Sequence, residues 1–213
     1  MSLSSYRTKR DVAADLLRDA IVVGQLAPGT RLILEELSEQ YQVSMTPIRE
    51  ALSLLEREGL ITQSPHKGAV VAGLDREELL ELYAIRSAIE ELATLHGVPR
   101  LTERDLAMLG QLLDALESFE GPWDAFLDVD MQFHRVLYAA AGSQRWLGTV
   151  EALWRRSRRY MLSSASASGA VAALHSDHRA IYRACCAKDA PAAAAAIRTH
   201  LKQSEERLLN DWL

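Results

Sequence analysis

The sequence predicts a mostly α chain in two parts: three helices and a β-hairpin, then an all-α bundle of about six helices. Three observations carry this. Apolar residues recur at helical spacing along most of the chain. The β-type runs, Leu60-Ile-Thr-Gln63 and Ala69-Val-Val-Ala72, are short and lie close together. From Asp75 onward nothing alternates as a strand does.

Taken in order, the segment from Tyr6 to Val23 reads as an amphipathic helix with Val12, Leu16 and Ile21 among its apolar positions. Gly24 and Pro28-Gly29 break it. Leu32 to Tyr41 is a second, short helix and Met45 to Glu58 the third. Ser44 and Thr46 are hydroxyl residues that can cap the third helix, and Pro47 sits in its first turn, where a missing N–H is harmless. Ile48, Leu52 and Leu55 make its apolar face, Arg49 points elsewhere, and Gly59 ends it. The two β-runs flank Ser64-Pro-His-Lys-Gly68, which has hairpin-turn chemistry. Three helices and a hairpin make a winged helix-turn-helix over residues 1–73, with Gly73-Leu74 as a linker.

Residues 74–213 then divide into helices near 75–97, 102–118, 122–141, 144–163, 170–187 and 190–211. Breaks fall at Gly97-Val-Pro99, Gly121-Pro122, Gly142-Ser143 and between Ser163 and Gly169. Asp189 caps the last helix with Pro191 in its first turn, and helix propensity accounts for the alanine run Ala192–Ala196.

The hydrophobic content of 48% supports packed cores and argues against disorder. No apolar run approaches the roughly 20 residues of a membrane-spanning helix, and nothing resembles a signal peptide. Adjacent Cys185 and Cys186 are no disulfide framework, so the expected compartment is a reducing cytoplasm. The net charge of −5 argues mildly against nucleic acid, and residues 1–73 hold eight Lys and Arg against nine Asp and Glu. The positive charge is clustered, however, at Arg7, Lys9, Arg10, Arg31, Arg49 and Lys67. A helix that opens with hydroxyls and an arginine suits phosphate contact and base reading in the major groove of double-stranded DNA.

Pro28-Gly-Thr-Arg-Leu32, Val43-Ser-Met-Thr-Pro-Ile-Arg-Glu-Ala-Leu52, Glu58-Gly-Leu60 and Gly68, in that order, resemble the GntR family of bacterial transcription regulators. The all-α half resembles the ligand-binding FCD domain of its FadR subfamily. The resemblance spans roughly residues 6–211. It implies that the third helix enters the major groove and the wing tip the adjacent minor groove, with Arg31, Ser44, Thr46, Arg49, His66, Lys67 and Gly68 at the DNA. Where the family commonly has an arginine between the serine and the threonine, this chain has Met45. Methionine makes no bidentate guanine contact, so base reading is expected to depart from the family's habit.

Asp130 and His134 lie four apart, on one face of a helix with Leu127, Leu137 and Ala141. His178 shares an inward stripe with Leu174, Ile181 and Cys185, and His200 one with Ala193, Ala196 or Ile197, and Ser204. Any one of these is ordinarily a hydrogen-bonded core residue. One carboxylate and three imidazoles inside one bundle are costly unless mutually satisfied or bound to a cation. The resemblance implies the latter: metal-binding FCD domains carry an Asp-x-x-x-His pair and two later histidines, matched by Asp130, His134, His178 and His200. A divalent transition metal is expected, with zinc, nickel and manganese all compatible. His175 lies one residue off the inward stripe, at the rim or in solvent, and His96 and His66 have no evident partner ligands.

Arg86 interrupts the apolar stripe Leu79, Leu82, Ile89 and Ala93. Two readings stand: an internal salt bridge to Glu90, or a clamp on the carboxylate of a small organic acid effector bound to the metal, which the resemblance favours. In the run Trp154-Arg-Arg-Ser-Arg-Arg-Tyr160, Arg158 is expected to turn inward as a second effector contact, near Trp154 and Met161. The function expected is therefore a homodimeric, effector-responsive regulator of transcription, a repressor rather than an activator, and not an enzyme. Two other readings fit the same residues. A metal with open positions could activate water in a hydrolase, though Glu90 is a poor general base for it, or the metal itself could be the signal.

Overall fold

A computed structural model describes residues 8–22, 25–64, 68–163 and 167–210. The chain divides into two compact units, Met1–Asp75 and Arg76–Leu213.

In the first unit α1 (Lys9–Val22), α2 (Leu34–Tyr41) and α3 (Met45–Arg57) join a three-stranded antiparallel sheet of β1 (Arg31–Leu32), β2 (Ile61–Ser64) and β3 (Gly68–Val71). β3 is central, pairing Arg31 with Val70 on one side and Thr62 with Val70 on the other. The hairpin is the one expected from sequence; β1 was not, because a two-residue strand carries no alternation to read.

The core face of α1 also differs from expectation. Ala13, Ala14, Leu17 and Ala20 are buried, whereas Val12 and Leu16 are 39% and 40% exposed. α1 packs on α3, and three alanines permit close approach where a valine would not. Arg18 straps the pair, donating through Nε and Nη2 to the two carboxylate oxygens of Glu58, each at 2.9 Å. α3 buries Ile48, Ala51, Leu52 and Leu55. It ends in a Schellman turn: Leu60 N–H reaches Leu55 O and Gly59 N–H reaches Glu56 O, both at 2.9 Å. Gly59 has φ +74°, a conformation that favours glycine.

The second unit comprises α4 (Arg76–Gly97), a 3-10 turn at Val98–Arg100, α5 (Glu103–Glu117), α6 (Trp123–Ala139), α7 (Gln144–Ser163), α8 (Ala167–Cys186) and α9 (Ala190–Asn210). α4 is the hub, packed on α6, α7 and α9, while α8 lies on α9 and α5. Thr102 and Asp105 form a reciprocal capping box at the start of α5, and Asp189 accepts from Ala192 N–H at the start of α9. At the end of α4 the absence of a side chain on Gly97 lets the helix press on α6: a Cβ there would lie 2.4 Å from the Leu137 carbonyl oxygen. Among the described residues no helix is long and apolar enough to cross a membrane.

Candidate functional site

In the second unit the four-residue spacing on α6 projects Asp130 and His134 from one face, and both are buried. α8 and α9 bring His178 and His200, also buried, to the same point. One ligand atom from each of the four lies within 4.8 Å of every other. The three imidazoles form a near-equilateral triangle, with ring centroids 5.2, 5.0 and 4.8 Å apart. Asp130 Oδ1 is 2.7 Å from His178 Nε2 and 3.8 Å from His134 Nε2. The Phe133 ring stands edge-on to His134 and His178 and lines the cluster with hydrocarbon.

The electrostatics suit a cation. Burial works against the charge on Asp130, but the three imidazoles, His178 foremost, together outweigh it and hold the carboxyl well below the usual carboxylate range. Burial pushes His134 far below its ordinary value and lowers His200, so both are neutral near pH 7. An ionised carboxylate beside neutral imidazoles at His134 and His200 is the protonation state that metal ligation requires. His134 Nε2 is buried without a hydrogen-bond partner, as expected of an atom left over for a ligand. The donor set thus fits a divalent transition ion. Sequence reasoning overlooked Asp177, whose Oδ2 lies 3.5 Å from His200 Nδ1.

Arg86, 1% exposed, is held on α4 beside the cluster. The salt bridge and the clamp, set against each other above, are compatible. Nε donates to Glu90 Oε1 at 2.8 Å, and Nη1 has no partner. Burial alone would lower its pKa, but Glu90 outweighs it and keeps the guanidinium charged. The Arg86 Cζ lies 4.8 Å from the Tyr83 ring centroid and 5.0 Å from that of Trp154. Trp154 Nε1 is likewise buried without a partner. Tyr138, one turn beyond His134, donates to Glu90 Oε2 at 2.7 Å, and its oxygen lies 3.3 Å from His134 Nδ1. Continuing the four-residue step from Asp130 through His134 would have found Tyr138.

Arg158 does not turn inward. It donates to Asp128 Oδ1 at 2.7 Å and to the Asp124 carbonyl at 3.0 Å, at the start of α6. The inward arginine of the run is Arg159, which donates to Glu78 and to Tyr160 OH. Trp154, Ser157, Tyr160 and Met161 define the buried face of α7. Arg158 lies at its margin, where two α6 acceptors capture it.

In the first unit the exposed side of α3 carries Ser44, Met45, Thr46 and Arg49, opposite its buried face. Ser44 is the N-cap residue by position, yet its side chain makes no capping bond, contrary to expectation. A cleft beside the α3 N-terminus is lined by Thr8, Lys9, Arg10, Ser44, Pro47 and Glu50. Arg31, on the edge strand, is exposed, and a Cβ on Gly68 would lie 4.0 Å from its Nε. Arg7, His66 and Lys67 lie outside the described residues, as do the side chains of Leu174 and His175. His96 packs against Trp146 with ring centroids 4.9 Å apart.

Comparison with known proteins places both units. Residues 9–71 match the bacterial regulatory proteins of the gntR family, and residues 81–203 match the FCD domain. An HTH-type transcriptional regulator in an unstable DNA locus of Streptomyces ambofaciens is 32% identical over 95% of this chain and 86% of its own length. The HTH-type transcriptional repressor RspR of Escherichia coli is 30% identical over 90% of this chain and 85% of its own. The solved structure of McbR/YncC from E. coli superposes with a TM-score of 0.80 at 24% identity, covering 97% of this chain and 99% of that one, a likeness of fold.

Proposed function

The chain belongs to the GntR family of bacterial transcriptional regulators and carries an FCD effector-binding domain; from that premise we propose that it is a homodimeric repressor released from its operator by a small carboxylate held on a divalent metal. The observation that carries this reading is the buried Asp130, His134, His178 and His200 cluster beside the unpartnered Nη1 of Arg86. Zinc, nickel or manganese bound there would supply a Lewis acid for carboxylate oxygens. Arg86 adds a planar cation whose free Nη1 donates to the same anion, in a site from which hydrocarbon and aromatic rings exclude water.

Ser44, Thr46 and Arg49 of α3 would meet the major groove, and Arg31 with His66, Lys67 and Gly68 the backbone and adjacent minor groove. Phosphates are further served by Lys9 and Arg10 in the cleft at the α3 N-terminus. The repressor sign draws on the name of the E. coli relative. The dimer draws on α4: Ile85, Ala88, Leu92 and Leu95 are exposed at heptad spacing, on the side away from Arg86 and Glu90. A second copy packed there would share the helix that carries the clamp. A carboxylate would then act through its different affinity for two dimer arrangements, and operator DNA would weaken carboxylate binding by the same factor.

The test is a thermal-shift series on zinc-, nickel- and manganese-loaded protein with mono-, di- and tricarboxylic acids. It is paired with binding of a duplex selected from a random pool. An acid that raises Tm is expected to weaken duplex binding, and Arg86→Ala is expected to remove both effects. Equal acid binding by the metal-free protein, or an effect that survives Arg86→Ala, contradicts the proposal.

A further inference from the structure

Glu90 touches neither the four-residue cluster nor the position proposed for the carboxylate, yet both of its oxygens are committed. Oε1 accepts from Arg86 Nε and Oε2 from Tyr138 OH. The Tyr138 hydroxyl has one proton. A carboxylate paired with arginine can only accept, so that proton lies on the 2.7 Å contact to Glu90. The remaining contact, 3.3 Å to His134 Nδ1, then needs its proton from the ring. A neutral imidazole with hydrogen on Nδ1 presents its lone pair at Nε2. That is the buried atom without a partner, 3.8 Å from Asp130 Oδ1.

We infer that Glu90 and Tyr138 are positioning residues: through Tyr138, Glu90 sets His134 in the Nδ1–H tautomer with Nε2 facing the metal position, and through Arg86 Nε it holds the guanidinium with Nη1 free for the ligand. One carboxylate thereby orients a metal ligand and the anion clamp together. The inference rests on the metal reading above. The chain Arg86–Glu90–Tyr138–His134 crosses from α4 to α6 using one four-residue step on each helix. Hydrogen bonds of this kind behind a ligating histidine fix its ring and raise its affinity for metal, typically by 10–100-fold. Glu90→Gln is a sharper perturbation than its size suggests. An amide offers one acceptor oxygen where the carboxylate offers two. If that oxygen keeps Arg86, the amide N–H donates to the Tyr138 oxygen and turns the hydroxyl proton toward His134 Nδ1. The ring is then driven to the Nε2–H tautomer, which blocks a metal.

The experiment reads the tautomer directly, from long-range 1H–15N correlation of the histidine rings in the metal-free full chain, with His134 assigned by comparison with His134→Gln. The same protein is then titrated with zinc and with cobalt(II). Wild-type His134 is expected to be Nδ1–H and to become Nε2–H in Glu90→Gln. Tyr138→Phe is expected to lose 10–100-fold in zinc affinity and to shift the cobalt d–d bands, changes that a looser core would not produce in that combination. An Nε2–H ring in the wild type overturns the inference even if neither variant folds. So does Tyr138→Phe with unaltered zinc affinity and cobalt spectrum. An Nδ1–H ring in a wild type that binds neither ion upholds the relay and overturns the metal reading alone.

Discussion

Two glycine-to-alanine substitutions in the second unit should move stability in opposite directions. Gly97 has helical angles, φ −79° and ψ −48°, so local preference alone makes alanine better by about 0.5–1 kcal/mol. Its Cβ would lie 2.4 Å from the Leu137 carbonyl oxygen, whereas carbon–oxygen contacts between packed helices rest at about 3.3–3.6 Å. The obstacle is backbone, which cannot rotate away, so α4 and α6 must part by about 1 Å. Overpacking of this kind costs typically 1–3 kcal/mol, and a rigid obstacle puts Gly97→Ala toward the upper end. After the propensity gain the net loss is about 1–2 kcal/mol, or roughly 4–8 °C in Tm for a unit of this size. Gly148, exposed on α7, has nothing within 4 Å of its Cβ position. There the propensity term acts alone, and Gly148→Ala should raise Tm by about 2–4 °C. Scanning calorimetry with circular dichroism at 222 nm reads both. If Gly97→Ala stabilises as Gly148→Ala does, the close crossing of α4 on α6, and the placement of His134 one turn away, are wrong.

Three further outcomes follow from single environments. Ser44→Ala should leave the unfolding free energy within about 0.5 kcal/mol of wild type, because the side chain caps nothing, while weakening duplex binding; a loss near the usual ~1 kcal/mol of a capping serine would restore it as a cap. Arg49→Ala should lower affinity for the selected duplex by about 10–100-fold without moving Tm, and unchanged anisotropy titrations would remove α3 from the DNA. Burial pushes the Cys185 thiol up to about 12, so at pH 8 it stays protonated. Iodoacetamide should therefore label exposed Cys186 alone until the chain unfolds; equal rates at both cysteines, followed by mass spectrometry, would contradict the packing of α8.

The helices are legible because apolar spacing and helix breaks are local properties of the chain. What spacing does not encode is which large residues lose to small ones. Val12 and Leu16 read as core, yet the α1–α3 crossing selects Ala13, Ala14 and Ala20. Asp130 and His134 could be paired from sequence because a four-residue step fixes a shared face. That His178 and His200 meet them depends on how α8 and α9 pack, which no local pattern states. The neighbours Arg158 and Arg159 differ by only 100° around α7. The outcome was decided by Asp128 and the Asp124 carbonyl on another helix. Arg86 was read as either salt bridge or clamp, but a guanidinium has five donors, and the fold spends one on Glu90 while leaving Nη1. Asp177 and Tyr138 were missed because each matters only through a histidine already chosen.

The proposed regulation requires that the four buried residues hold an ion. Metal content by plasma mass spectrometry, after loading with zinc, nickel or manganese and exhaustive dialysis, tests this most directly on wild type and on His134→Ala/His200→Ala. About one ion per wild-type chain is expected for at least one of the three metals, and loss of that ion from a double variant that keeps its helical circular dichroism. A wild type that retains none of them, or a double variant that keeps its full complement, would contradict it.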